Sequence, residues 1–464
     1  MAGAPQKPLK NYDHLFANII PYFLGEANRL PLDYPPRLLW QNNIDEADFR
    51  EKIRSSPSDI FKKTLGLYLN IPFCQHRCVF CCHASHLTVH KLNDYFDALL
   101  KEIDIYAHLL NKTPFKSVYL AGGTPSLLNE GQLQELFDRL HAGLNLKKAV
   151  QFSFETGPAT LNEGKIKILK KNGVDRLGLG VQSLDPAVLK INNRPQDTRQ
   201  VKHIFDLARK HQIKFISLDL MMGIPGQTVD SFMNDLKTLI SWKPDVLHTN
   251  RFKPMITTVF SKTGNRLSTE DEQRIKEMDL LSRPLLREHG YHATGGHQRS
   301  LDPAARNIQL SDAIQFNSSF IAIGGFANGH ITGAYRYSNH GDVDEYIRSL
   351  GEGKLPIEKG YKLDTQKEIV HYLFTSLSMG KVSLRAIELL YGKSLNEYPR
   401  IIEKLKYLES RGKISLHDQF IKSNMTSLEE NTTYLQYLFC DDVLEKMLQL
   451  AEAEGIPIDR PQDR

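Results

Sequence analysis

Cys74, Cys78 and Cys81 stand in the run Tyr68-Leu-Asn-Ile-Pro-Phe-Cys-Gln-His-Arg-Cys-Val-Phe-Cys81, a C-x3-C-x2-C spacing directly after an apolar, strand-like segment. Three thiolates this close can converge on one inorganic centre. Ordinary ferredoxin-type cubes take four cysteines, so a set of three leaves one iron open to a substrate or cofactor. Zinc is the competing use, but it takes four ligands in paired C-x2-C spacing, and no second pair exists in the chain. Cys82 follows directly; adjacent side chains diverge, so it reads as an inert neighbour, with fallback ligand or catalytic thiol as the rival roles.

Three further constellations could bind polar groups. In Leu120-Ala-Gly-Gly-Thr-Pro-Ser126 the pair Gly122 and Gly123, with Thr124, lets the backbone approach a ligand closely and offer its amides to a carboxylate. Glu155 ends the apolar run Phe152-Ser-Phe-Glu155, where a carboxylate must meet water or a cation because burying it unpaired is costly. A rim salt bridge is the plain alternative to ligand contact. Gln182, Arg194 and Asp219 come from adjoining segments, several strands after the cysteines. Arginine can hold a carboxylate bidentately, and aspartate can hold an amine or ribose hydroxyls; the bland alternative is that the three stitch loops together.

These residues need a frame. Apolar strand-like runs at Leu65–Ile71, Ser117–Ala121, Val150–Glu155, Arg176–Val181, Lys214–Leu220 and Val246–Phe252 alternate with helical periodicity at Asp94–Leu110, Gly131–Leu140, Gly164–Lys171, Gln200–Lys210 and Ser231–Ile240. Six strand–helix units in succession predict an α/β fold, a partial (β/α)6 TIM-like barrel with right-handed crossovers. The polar motifs fall at the strand ends, the face on which such barrels build sites. The division expected is a lead-in over residues 1–60, the barrel over 61–260, an extension closing the site over 261–360, and a helical, winged-helix-like module over 361–464. The lead-in carries the breaker-rich Leu30–Pro36 and a helical pattern at Glu46–Ser55; the tail Ile458–Arg464 is read as disordered. Helices at Lys367–Ser378 and Tyr398–Ser410 precede a hairpin signal at 412–422, and no strongly basic recognition helix points to nucleic acid.

The cysteine spacing, the Gly-Gly-Thr-Pro stretch and the Gln182, Arg194 and Asp219 segments closely resemble the radical S-adenosylmethionine (SAM) superfamily, and within it the oxygen-independent coproporphyrinogen III oxidase and heme chaperone group. The resemblance is dense from about residue 64 to residue 260 and looser beyond. It implies a 4Fe–4S cluster on Cys74, Cys78 and Cys81, with SAM chelated to the open iron and cleaved to a 5′-deoxyadenosyl radical. It places Gly122, Gly123, Thr124 and Glu155 on that SAM, and Gln182, Arg194 and Asp219 on a second one. Tyr68, Phe80, Lys253 and Asn328 align with SAM-neighbouring positions.

Departures from the group shape the expected reaction. The oxidase places a fourth cysteine one residue beyond the third, whereas here the order is Cys81-Cys82-His83. His292 stands where chaperone-like members often carry a glutamate, and the lead-in is longer than theirs. The favoured expectation is therefore two-SAM radical C-methylation of a conjugated or aromatic substrate, a quinone or a tetrapyrrole. Oxidative decarboxylation of coproporphyrinogen III and heme carriage are the alternatives. A reductant such as flavodoxin or ferredoxin is the implied partner.

Composition agrees with a globular protein of this kind. The chain has 464 residues, 41% apolar and 24% charged, with a formal charge of +5 and both signs interspersed. Four of the five cysteines crowd into positions 74–82, which excludes a disulfide framework and fits a reducing cytoplasm. Cys440 reads as a buried apolar residue. No apolar stretch has the length of a transmembrane segment, and the first residues lack a secretory pattern.

Overall fold

The six apolar runs form parallel strands: β1 (Gly66–Ile71), β2 (Ser117–Gly122), β3 (Gln151–Thr156), β4 (Arg176–Gln182), β5 (Phe215–Met222) and β6 (Val246–Arg251). Each lies within one or two residues of its predicted span. The structure is a computed structural model that describes residues 34–42, 44–55, 65–83, 86–110, 113–255, 257–295, 297–425 and 428–453. The tail and most of the breaker-rich lead-in stretch lie outside the described residues.

Along these strands side chains alternate between two faces. Leu67 and Leu69, Val118 and Leu120, Phe152 and Phe154, Leu177 and Leu179, Ile216 and Leu218 are buried in one core with the outer helices. The intervening positions carry Tyr68, Tyr119, Ser153 and Glu155, Arg176, Ser217 and Asp219, His248 and Asn250. Parallel sheets packed on both faces read as unbroken apolar runs; here the second face is polar because it lines a cavity. The helices are set by ordinary local signals. Asn129 and Gln132 form a capping box at the start of Glu130–Gly143, and Asp197 caps Thr198–Lys210, whose Val201, Ile204, Phe205 and Ala208 are buried.

The sequence did not reveal a seventh parallel strand, β9 (Phe320–Ile323), which pairs with β1 on the side away from β2. It is too short to carry a periodic signal. Between them in the chain lie β7 (His292–Gly295) and β8 (Gln298–Ser300), an antiparallel pair added to β6. Beyond β9 come β10 (Asn328–Ile331), β11 (Tyr335–Asn339) and β12 (Ile357–Lys362), all antiparallel. The resulting twelve-stranded sheet runs from β12 to β7, which do not pair with each other, so the barrel is partial.

The Gly324-Gly325 turn after β9 is locked onto β1. Asn70 Nδ2 donates to the Gly325 carbonyl at 2.6 Å, and Tyr95 Oη donates to the Asn70 carbonyl at 2.7 Å while accepting from Gly325 N. Beneath it the fully buried Glu102 accepts from Gly324 N (2.8 Å), Asn339 Nδ2 (2.8 Å) and Tyr346 Oη (2.5 Å). Burial nevertheless pushes the Glu102 carboxyl up to about 7, from an ordinary 4.5. The folded protein thus holds a proton that the unfolded chain releases. This contribution is full below about pH 4.5 and is lost as pH rises to about 7. Wild type is therefore expected to lose stability relative to Glu102→Gln between those pH values, measured as urea midpoints. A difference that stays constant across the window would refute it.

After β12 the chain builds a second core. Helices Thr365–Ser378, Leu384–Tyr391 and Pro399–Ser410 flank a three-stranded antiparallel sheet of β13 (Lys381–Ser383), β15 (Phe420–Ser423) and β14 (Ile414–Leu416), a winged-helix-like arrangement. Cys440 is buried here beside Tyr34, whose hydroxyl accepts from Cys440 N. Glu368 joins this part to the barrel edge, accepting from Asn317 Nδ2 at 2.6 Å, Gly333 N at 2.7 Å and His330 Nε2 at 3.1 Å. Among the described residues no helix is long and apolar enough to cross a membrane.

Candidate functional site

A cavity of about 1040 Å³ opens at the carboxyl ends of the parallel strands. Its lining includes Cys74, Cys78 and Cys81, Gly122, Gly123 and Thr124, and Glu155, Gln182, Arg194 and Asp219. Tyr68, Phe80, Lys253 and Asn328 line it too.

The cysteine loop leaves β1 and is held by backbone contacts on two sides. Val79 N donates to the Asn192 carbonyl (3.1 Å), Phe260 N to the Val79 carbonyl (3.1 Å) and Asn193 Nδ2 to the Arg77 carbonyl (3.1 Å). Phe80 is buried against Val188, Ile224 and Phe252, with Cys78 and Cys81 partly buried at the same cluster. Burial pushes the Cys81 thiol up to about 11, and the nearby Cys78, Cys82 and Cys74 add to the shift. A bound metal centre reverses that preference, since it takes thiolates. Cys82 is exposed, and its carbonyl accepts from Thr257 Oγ1.

The glycine turn is shaped around this loop. A Cβ on Gly123 would lie 2.9 Å from Cys74 Sγ and closer still to the Phe73 carbonyl, and Gly122 has a φ of 125°. Only glycine tolerates both conditions. Thr124 Oγ1 lies 3.4 Å from Cys74 Sγ.

On the next strands the charges are coupled. Arg176, 1% exposed, donates to Glu155 Oε1 at 2.5 Å and to the Ala305 carbonyl at 3.3 Å. The salt bridge named as the plain reading of Glu155 is thus formed, while the same carboxylate still lines the cavity. It lies over Gly178, where any Cβ would collide with it. Burial raises the Glu155 pKa against the pull of Arg176, and it lifts Asp219 to about 6 against Arg176 and Arg194. Burial and then Arg176 push His248 down to about 4.

Arg194 also reaches the cysteine loop. The sequence separates it from the cysteines by several strands, yet its Nη1 donates to Cys78 Sγ at 3.6 Å. Its Nε donates to Gln196 Oε1 (3.0 Å) and its Nη2 to the Gly180 carbonyl. Closure of the barrel brings the two sets into one space. Gln182 sits at a register shift between β4 and β5 with a φ of 68°, a conformation that is costly for a residue with a Cβ. Its Oε1 is buried without a partner, as is Asn328 Oδ1.

These features fit a cluster and SAM. There are thiols on a packed loop, a glycine cradle beside them, and buried polar atoms whose partners the folded chain does not supply. Among the described residues no three His, Cys, Asp or Glu side chains are placed to hold a single metal ion; a cube takes one thiolate on each iron. Sequence reasoning missed Arg176, Tyr119 and His297. An arginine opening the apolar run Arg176-Leu-Gly-Leu-Gly was the available signal for the first. His292 lies elsewhere, with Arg287 and Arg299 around a separate, smaller cavity.

Residues 69–239 match the Radical SAM superfamily. The heme chaperone HemW of Bacillus subtilis is 28% identical over 346 residues, covering 73% of this chain and 90% of that protein. The oxygen-independent coproporphyrinogen III oxidase of Pseudomonas aeruginosa is 27% identical over 354 residues, covering 72% and 76%. The fold matches the solved structure of coproporphyrinogen III oxidase (HemN) from Escherichia coli with a TM-score of 0.74 at 22% identity, over 88% of this chain and 96% of that one.

The expected C-methylation is overturned by these findings. Similarity extending over most of the chain leads to a heme chaperone and to coproporphyrinogen oxidases. The expectation rested on the shifted Cys82, with His83 in the place of the fourth cysteine, on His292 and on the longer lead-in. Cys82 and His83 line the cavity beside the three cysteines and His292 lies outside it; local departures of this kind do not define a reaction. The chain therefore carries a radical SAM domain, for which the family implies a 4Fe–4S cluster and SAM, and over most of its length it is similar to heme chaperones and oxygen-independent coproporphyrinogen III oxidases.

Proposed function

We propose that this protein is a radical SAM enzyme that oxidatively decarboxylates a tetrapyrrole of the coproporphyrinogen type. The observation that carries the reading is the single cavity that gathers the cysteine loop, the glycine cradle and the Gln182, Arg194 and Asp219 group. At about 1040 Å³ it stands at the upper end of small-molecule sites, roughly 300–1,000 Å³, which suits two SAM molecules or SAM with a large flat substrate. Cluster and SAM together would supply hydrogen-atom abstraction; the protein's part is to hold the reacting groups in line and exclude water.

In this reading Cys74, Cys78 and Cys81 hold the cluster, and Gly122, Gly123, Thr124 and Glu155 one SAM. Gln182, Arg194 and Asp219 hold a second, with Tyr68, Phe80 and Asn328 at their margins. Residues 261–360 close the open side of a barrel over 61–260, preceded by the lead-in 1–60, and 361–464 form an appended module. A cytoplasmic location and a flavodoxin- or ferredoxin-type reductant belong to the same reading.

The test is anaerobic incubation of the reconstituted protein with SAM, reductant and coproporphyrinogen III. The expected products are carbon dioxide and 5′-deoxyadenosine in equal amounts, with two SAM bound per chain at equilibrium. Similarity to HemW over 90% of that protein favours heme carriage as the second reading. Tight stoichiometric heme binding with no product would replace the first reading by the second.

A further inference from the structure

The cavity wall is unequally charged. Two carboxylates line it, Glu155 and Asp219, against the cations Arg77, Arg194, Arg251 and Lys253. Most of these are committed. Glu155 is paired with Arg176, Arg194 is spread over Gly180, Gln196 and Cys78, and Arg251 pairs with Glu272. Arg77 donates to the Thr257 carbonyl at 3.2 Å. Among the described residues the Lys253 ammonium has no hydrogen bond or ion pair.

Lys253 is nonetheless firmly placed. Phe252 N donates to the Met222 carbonyl at 2.8 Å, and the buried Phe252 ring packs edge-on against Phe260, so the next residue is fixed at the top of β6. His297 is tied alongside, its carbonyl accepting from Thr249 N at 3.2 Å. The groups feel one another: burial and then Arg251 hold the Lys253 pKa below its ordinary value, and burial and then Lys253 lower that of His297. An anion placed among them would relieve that repulsion. The neighbouring end of β5 adds the apolar side chain of Met221 to the cavity wall. SAM carries an ammonium and a sulfonium beside its carboxylate, so a carboxylate on an otherwise uncharged frame is the better match for the Lys253, His297 and Arg251 end of the wall.

We infer that Lys253, flanked by His297 and Arg251, forms a subsite that holds a peripheral carboxylate of a flat, apolar substrate. The inference rests on the tetrapyrrole reading above and assigns Lys253 to the substrate rather than to SAM.

The test is equilibrium titration of the cluster-reconstituted full chain with coproporphyrin III and with its tetramethyl ester, in one detergent buffer, followed by absorbance. Wild type is expected to bind the acid more tightly than the ester. Lys253→Met should weaken acid binding about ten- to hundredfold, the range for a lost hydrogen bond to a charged group. Ester and SAM binding should stay unchanged, and Lys253→Arg should retain most of the acid preference. An unchanged acid-to-ester ratio in Lys253→Met, or a loss of SAM affinity in its place, overturns the subsite alone. Wild type that binds neither porphyrin overturns the tetrapyrrole reading and this ligand assignment with it.

Discussion

Replacing Cys74, Cys78 or Cys81 by alanine is expected to abolish the 4Fe–4S absorbance and paramagnetic signals and all SAM cleavage, while Cys82→Ala retains both. Three thiolates and SAM complete the coordination of a cube, so each ligand is indispensable and the exposed Cys82 is surplus. Cys82 is the one other thiol of the loop, and Cys440 is buried in the second core with Tyr34 and Phe439. Iron and sulfide content, electron paramagnetic resonance of the reduced protein and 5′-deoxyadenosine release are the measurements. Retention of cluster and SAM cleavage in Cys78→Ala would refute the ligand assignment, and loss of the cluster in Cys82→Ala would make that residue a ligand.

Arg176→Leu is expected to destabilise the cluster-free protein by about 3–5 kcal/mol, the usual cost of removing one member of a buried ion pair. Arg176 is 1% exposed and its guanidinium is fixed on Glu155 at 2.5 Å, at the floor of the barrel. Without it the Glu155 carboxylate faces Asp219 stripped of its ion-pair partner, and burial already raises both pKa values. Adding Glu155→Gln to Arg176→Leu should restore part of the loss, because a neutral amide has a smaller desolvation penalty. Urea unfolding of the single and double variants measures both effects. A single variant within about 1 kcal/mol of wild type would mean that the pair contributes little beyond its own desolvation.

The parallel strands and the C-terminal hairpin could be read from periodicity, because burial on one face of a strand or helix imposes a repeat on the sequence itself. The cysteine loop and the Gly122-Gly123 turn could be read for a related reason. Each follows its strand directly, so topology alone puts them on the same end of the sheet. That the residues singled out lie round one cavity follows from this, since parallel strands present their carboxyl ends together. The reaction could not be read in the same way. Cys82, His83 and His292 suggested methylation, whereas Cys82 and His83 line the cavity without specifying what it binds, and His292, on an edge strand, lies outside it.

What remained for the tertiary structure were meetings between residues far apart in the chain. Arg176 reaches Glu155 across the β3–β4 register, Arg194 reaches Cys78 over 116 positions, and β9 docks against β1 through the Gly325–Asn70 contact over 255. His297 comes to stand near Lys253 only because β8 pairs back onto β6. Such contacts leave no periodic trace, for each depends on strand register and barrel curvature rather than on neighbouring residues. The sequence by itself determined the strands, the order in which polar groups end them and the three thiols that follow the first. Register and curvature decided which charges are neutralised in the folded cavity, and left the Lys253 ammonium without a protein partner among the described residues.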